Sequence, residues 1–203
     1  KAGYHDRNLY QNISSATKLR EMNRNNENIN DFIPYKLEDI DCDIPYDISN
    51  LDSAIISKLR LMTAEDLQNI SEVTEGIENR ILSSANMSYS FETLVENVKN
   101  KRYTTSKIRR MIISALIGFT KDIYSPMPQY IRILGMNKVG MTILKQAKGI
   151  CKVPIITKTA DFKEQSPQFN LDVCATNIAM LCNPIPTHRI GNADLKKSPI
   201  IMK

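Results

Sequence analysis

The sequence predicts a mainly α fold, a helical domain followed by a small α/β (βαβ) subdomain toward the C-terminus, and three observations carry that prediction. Apolar residues recur at helical spacing through the middle of the chain, most fully at Ile108, Met111, Ile112, Ala115, Leu116 and Phe119. Two short β-prone runs, 130–134 and 153–157, flank a helical stretch near 139–148, and a connection of that length suits parallel strands. Hydrophobic residues make up 42% of the 203 positions, enough for one large or two small cores.

In chain order, Ser15 predicts the N-cap of a short helix through Arg20, after which the Asn-rich run 23–30 reads as a loop and a domain boundary. Pro34 and Pro45 break an acidic stretch with Glu38, Asp39, Asp41, Asp43 and Asp47 into an irregular connection whose acids lack metal-loop spacing. Ser49-Asn50-Leu51-Asp52 fits a capping box ahead of Leu51, Ile55, Leu59 and Met62, and Thr63-Ala64-Glu65-Asp66 opens another helix. Amphipathic helices are expected at 74–85 and 90–100, and the longest at 105–119. A last helix over 170–181 precedes Pro184, Pro186, Gly191 and Pro199, which predict an extended tail. The implied divisions are 1–22, 23–124 and 125–203.

Composition removes whole classes of chemistry. With 7 glycines, no G-x-G-x-x-G or G-x-x-x-x-G-K-[ST] phosphate cradle can be written, and His5 and His188 are too far apart for a paired-His metal site or an H-x-G-H motif. These absences count against a complete nucleotide-using enzyme. The chain opens on Lys1 without a secretory pattern and looks cut from something longer. Its longest apolar run, 111–119, is too short to cross a bilayer, so no membrane partner is expected. Cys42, Cys151, Cys174 and Cys182 match neither a metal pair nor a disulfide scaffold, which points to a reducing cytoplasm, with Cys174 and Cys182 expected as buried thiols.

The formal net charge of +5 is unevenly distributed. Between residues 99 and 148 eleven basic residues face one acid, Asp122, so this quarter of the chain carries +10 and the remainder −5. Such asymmetry is the footprint of a surface that meets a polyanion, although a solvated basic face has the same composition. Lys99, Lys101 and Arg102 follow one expected helix, where cations complement the dipole. Lys107, Arg109 and Arg110 open the next, where they oppose it by about 0.3–1 kcal/mol each. Some other interaction must favour them. With Tyr103 among them as a base-stacking ring, the corner suits an RNA backbone and an unpaired base, and an arginine stacked in a protein interface is the alternative.

A second constellation is Ser14, Ser15, Thr17 and Arg20, where hydroxyls and the free N–H groups of a starting helix suit a phosphate; an ordinary Ser/Thr cap has the same spacing. Weaker candidates are Cys174 or Cys182 with His188 as a nucleophile pair, and Glu72, Glu75 and Glu78 for acid–base work. The former lack an orienting group, and the latter suit a helix start.

Several segments carry a resemblance in order: Tyr4-His5-Asp6, then Ile13-Ser14-Ser15-Ala16-Thr17-Lys18-Leu19-Arg20, Thr74-Glu75-Gly76-Ile77-Glu78-Asn79-Arg80 and Lys101-Arg102-Tyr103-Thr104. Tyr130-Ile131-Arg132-Ile133-Leu134-Gly135-Met136 and Val153-Pro154-Ile155-Ile156-Thr157-Lys158 continue it. The chain resembles the bacterial tRNA(Met) cytidine acetate ligase family over nearly its whole length, matching the part that follows the H-x-G-H nucleotidyltransferase domain. The resemblance implies that 1–22 is the tail end of that domain, that Ser14, Ser15, Thr17 and Arg20 face ATP phosphates, and that ATP, with Mg2+, serves the full-length enzyme.

It also implies acetate and elongator methionine tRNA as substrates, an acetyl-adenylate intermediate, N4-acetylation of the wobble cytidine, and an N-terminal nucleotidyltransferase domain as partner. No catalytic residue and no metal ligand is assigned within the chain. The candidate tRNA-binding residues are Lys99, Lys101, Arg102, Tyr103, Lys107, Arg109, Arg110 and Arg132. The alternatives are a structural helical interaction domain and a stand-alone RNA-binding module without catalysis.

Overall fold

Apolar periodicity sets the helices, and a capping side chain opens several of them. The computed structural model describes residues 14–25, 27–33, 47–74, 76–162 and 166–202. The Tyr4-His5-Asp6 motif, Cys42, Glu75 and nearly all of the acidic stretch lie outside the described residues. The first helix, α1 (Ala16–Arg24), is capped by Ser15, whose side chain accepts from the Lys18 amide at 3.2 Å.

Five helices then build the core: α2 (Asp52–Leu61), α3 (Ala64–Asn69), α4 (Glu78–Met87), α5 (Phe91–Val98) and α6 (Thr105–Ile117). Capping boxes Thr63/Asp66 and Ser90/Thr93 start α3 and α5, Thr104 caps α6, and Gly118 ends α6 in the left-handed region at φ 75°. Ile55 and Leu59 of α2, Leu67 of α3, Ile81 of α4, Leu94 and Val98 of α5, and Ile108 and Met111 of α6 are buried together. Each such side chain contributes about 1.5–3 kcal/mol relative to exposure. Helix α2 packs on α4 and α6, and α4 on α5.

Two expected helix starts are corrected. Asp47, not Ser49, caps a 3-10 turn at Ile48–Leu51, and Asp52 instead accepts from the Phe91 amide at 2.8 Å, joining the starts of α2 and α5. The helix expected from Thr74 begins at Glu78, because Glu72 (φ 67°) and Gly76 (φ 91°) adopt left-handed conformations that a helix cannot continue.

The C-terminal part contains β1 (Ile131–Arg132), β2 (Gly135–Met136), α7 (Lys138–Ile150), β3 (Ile155–Ile156), α8 (Pro167–Met180), α9 (Ala193–Lys196) and β4 (Ile200–Ile201). Strands β1 and β3 pair in parallel across α7, the expected βαβ unit. The expected extended tail instead holds a 3-10 turn at Pro186–His188, α9 and β4, and β4 pairs in parallel with β2. Gly135 permits that approach, since a Cβ there would lie 3.2 Å from the Ile200 carbonyl oxygen.

Helix α8 reaches back to the helical core. Cys182, just beyond it, is buried in the core, and its carbonyl accepts from the Asp47 amide (2.9 Å) and the Asn50 side chain (3.2 Å). No helix among the described residues is long and apolar enough to cross a membrane.

Candidate nucleic-acid interface

The corner between α5 and α6 is fixed from beneath by an arginine. Arg80, on α4, donates to the carbonyls of Asn97 (3.0 Å), Val98 (2.8 Å) and Lys99 (2.8 Å), satisfying backbone acceptors that the end of α5 leaves unpaired. Asn100 then accepts from the amides of Arg102 (2.9 Å) and Tyr103 (3.0 Å), turning the chain toward α6. Arg80 and Asn100 serve this geometry, and Thr74 bonds the Tyr103 hydroxyl, so both ends of the Thr74–Arg80 motif support the corner.

The cations on it fall into two groups. Lys99 pairs with Glu96 (3.5 Å), Arg109 with Glu92, and Arg110 donates from Nε to both oxygens of Glu72 at 2.9 and 3.0 Å. The Arg109 guanidinium also lies over the Phe91 ring, 5.2 Å from its centroid. These partners account for arginines that oppose the α6 dipole. Among the described residues Lys101, Arg102 and Lys107 have no carboxylate partner, and Lys101 and Arg102 are exposed.

Tyr103 is corrected from the base-stacking role. Its side chain is buried, its hydroxyl shares a 2.6 Å hydrogen bond with Thr74, and Arg102 and Lys107 lie 5.3 and 5.1 Å from its ring centroid. The ring positions cations and offers no open face to a base.

Arg132 is also corrected as a freely presented cation. It donates to Asp194 at 2.8 Å, and the second oxygen of Asp194 accepts from Thr176 at 2.6 Å. This links β1, α8 and α9. Burial pushes the Asp194 carboxyl up, but the hydrogen bonds from Arg132 and Thr176 outweigh it and hold the group below its ordinary value.

A depressed folded-state pKa contributes stability that is complete above the unfolded value and is lost as pH falls through the folded one. Asp194→Asn is therefore expected to destabilise the chain by about 1–3 kcal/mol at neutral pH. The difference from wild type should narrow as pH falls below about 4, read from urea unfolding across pH. A difference independent of pH would show that the ion pair is not its source.

At the other candidate site, Ser15 is buried in its capping role, while the Ser14 Oγ is buried without a hydrogen-bond partner among the described residues. Thr17 and Arg20 are exposed along α1, and its first turn carries no acid. The α1 start thus brings Ser14 and Ser15 to one place, with helix N–H groups beside them.

Of the weaker candidates, Glu75 lies outside the described residues and Glu72 is bonded to Arg110. Cys174, expected to be a buried thiol, is exposed, as is Cys151. Cys182 is buried, and burial together with Asp47 pushes its thiol up, away from a reactive thiolate. Glu78 is buried at the start of α4, where backbone N–H groups and Gln68 (3.0 Å) hold its carboxyl down, against use as a general acid.

A family profile described as HIGH Nucleotidyl Transferase matches residues 1–194. Similar curated proteins include the tRNA(Met) cytidine acetate ligases of Thermosipho africanus, 33% identical over all of this chain and 54% of that protein, and of Acetivibrio thermocellus, 30% identical over 98% and 53%. Among solved structures, apo Thermotoga maritima TmcAL matches with a TM-score of 0.85 at 27% identity, over 99% of this chain and 53% of that one. Thermotoga maritima TmcAL bound with alpha-thio ATP matches with a TM-score of 0.81 at 28% identity, over 96% and 53%. The chain spans about half the length of the curated relatives it matches.

Proposed function

Since the chain belongs to the HIGH nucleotidyl transferase family, we propose that it is the C-terminal, tRNA-binding portion of an ATP-dependent ligase that N4-acetylates the wobble cytidine of elongator methionine tRNA. The observation that carries this reading is the α5–α6 corner. Among the described residues Lys101, Arg102 and Lys107 have no acidic partner there, inside the window that holds the chain's positive excess. Arg109 and Arg110 join them, because exposed ion pairs contribute only about 0–1 kcal/mol and can be exchanged for phosphate.

In this reading residues 1–22 close the nucleotidyltransferase-like domain, 23–124 form the helical domain that carries most of the tRNA-binding residues, and 125–203 form the small α/β region and tail. Ser14, Ser15, Thr17 and Arg20 would face the phosphates of ATP, and the unpartnered Ser14 hydroxyl fits an incoming oxyanion. ATP supplies the adenylate that activates acetate. The described residues contain no group of three His, Cys, Asp or Glu that fits Mg2+, so no step is assigned to a metal held by them. The catalytic H-x-G-H element belongs to the N-terminal nucleotidyltransferase domain, the chain's partner, and the whole assembly works in the cytoplasm.

The test is a division of labour. The chain, given ATP and acetate, should release no pyrophosphate above background while retaining elongator methionine tRNA on a filter. Sustained pyrophosphate release by the chain alone would overturn the assignment. Failure to retain tRNA, with firm association to a nucleotidyltransferase half, would favour the interaction-domain alternative, which the internal pairing of Lys99, Arg109 and Arg110 supports.

A further inference from the structure

A crevice that carries positive charge and hydroxyls lies outside both the α5–α6 corner and the α1 start. A cavity of about 220 Å³ opens at the carboxyl ends of the parallel pair β1 and β3, against the segment that leads into β4. Carboxyl ends of parallel strands are where open α/β sheets place ligands, because the chain diverges there and leaves a crevice. The lining combines apolar walls from Ile133, Leu134, Pro199 and Ile200 with positive charge from Arg132 and Lys197 and hydroxyls from Thr157, Thr159 and Ser198.

Among the described residues no acid lines the cavity, although Asp194 lies near enough to feel both of its cations, Arg132 and Lys197. Asp194, paired with Arg132, already accepts from Arg132 and Thr176, and Asp172, which also influences Arg132, is bonded to the Tyr130 hydroxyl. Arg132 reaches Asp194 through one terminal nitrogen, which leaves other guanidinium donors available. Thr159 is 4% exposed, yet among the described residues no hydrogen bond engages its hydroxyl or that of Thr157. Hydroxyls on a crevice that also carries two cations are groups that an oxyanion can engage.

We infer that the β1–β3 crevice, lined by Arg132, Thr157, Thr159, Lys197 and Ser198, binds one phosphate-class oxyanion. Two cations with three hydroxyls suit a tetrahedral anion with several acceptor oxygens. An RNA backbone and a free phosphate-bearing small molecule present the same chemistry to the crevice. The site requires neither the ligase reading nor the α5–α6 corner.

The experiment titrates the 203-residue chain with inorganic phosphate and follows backbone amide resonances by NMR at constant ionic strength. A saturable shift centred on Thr157, Thr159 and Ser198 is expected in the millimolar range. Lys197→Gln, at an exposed position, and the near-isosteric Thr159→Val should each weaken it, and the double variant by about tenfold or more, with unchanged melting. The same variants are then tested for tRNA retention. A several-fold loss assigns the phosphate to RNA, and unchanged retention with an abolished phosphate response assigns it to a small molecule. No saturable shift in the wild-type chain, or a shift that neither variant alters, overturns the site.

Discussion

Changing Lys101 and Arg102 to Glu is expected to lower the affinity for elongator methionine tRNA by roughly 15–30-fold at physiological salt, while the melting temperature stays where it was. Each cation that no longer neutralises a phosphate, in a single-stranded or duplex region, removes about 0.7–0.9 from the slope of log K against log salt. At about 0.15 M salt that slope corresponds to a factor of roughly four to five per phosphate, so two phosphates give the stated fall before any repulsion from the new carboxylates is added. Neither side chain has a carboxylate partner among the described residues, and both are exposed, so the fold loses nothing large.

The pairing pattern makes a second, opposite-signed outcome part of the same prediction. Glu72 and Glu92 engage Arg110 and Arg109, so Glu72→Gln with Glu92→Gln should release both guanidinium groups and raise tRNA affinity a few-fold. Filter retention of labelled tRNA across a salt series measures both variants. If the corner is a structural brace only, charge reversal leaves the slope unchanged and the Glu variants do nothing to binding.

How much of this was legible in the sequence depends on how local each cause is. Helices α3, α5 and α6 could be placed because their caps, Thr63, Ser90 and Thr104, lie beside the apolar periodicity they introduce. The start of α4 could not. It is set by left-handed backbone at Glu72 and Gly76, and a glutamate does not advertise a positive φ. Asp52 resembled a capping-box member, but its acceptor role is toward Phe91, 39 residues away.

The candidate interface follows the same rule. The cation cluster was visible as composition, whereas the partners of Arg109 and Arg110 are 17 and 38 residues distant and sort the cluster only once the helices are packed. Tyr103 illustrates the limit most plainly. An aromatic among basic residues has the same sequence whether its ring faces solvent or the core, and here the Thr74 hydroxyl and neighbouring apolar side chains draw it inward. The strand β4 was hidden because Pro184, Pro186 and Pro199 dominate the tail, and its partner β2 lies far upstream.

Arg80→Ala is expected to destabilise the chain by about 2–4 kcal/mol, because three carbonyls at the end of α5 lose a charged donor at once and water replaces it readily only at exposed Asn97 and Lys99, not at buried Val98. In a chain of this length the corresponding fall in melting temperature is roughly 5–15 °C. Arg80→Lys should recover little of it, since an ammonium cannot reproduce the planar fork that serves Asn97, Val98 and Lys99 together.

Arg60 provides the comparison that separates stability from function. It donates in the same manner to the carbonyls of Ala85 (3.1 Å), Asn86 (3.5 Å) and Ser88 (3.2 Å) at the end of α4, away from the basic corner. Arg60→Ala should therefore cost a similar amount of stability and leave tRNA retention intact well below the melting temperature. Arg80→Ala, at the same fraction folded, should also speed amide hydrogen exchange across 99–104 and weaken tRNA retention, because the loop that carries Lys101 and Arg102 loses its support. Equal tRNA retention by the two variants would mean that Arg80 stabilises α5 without positioning those cations.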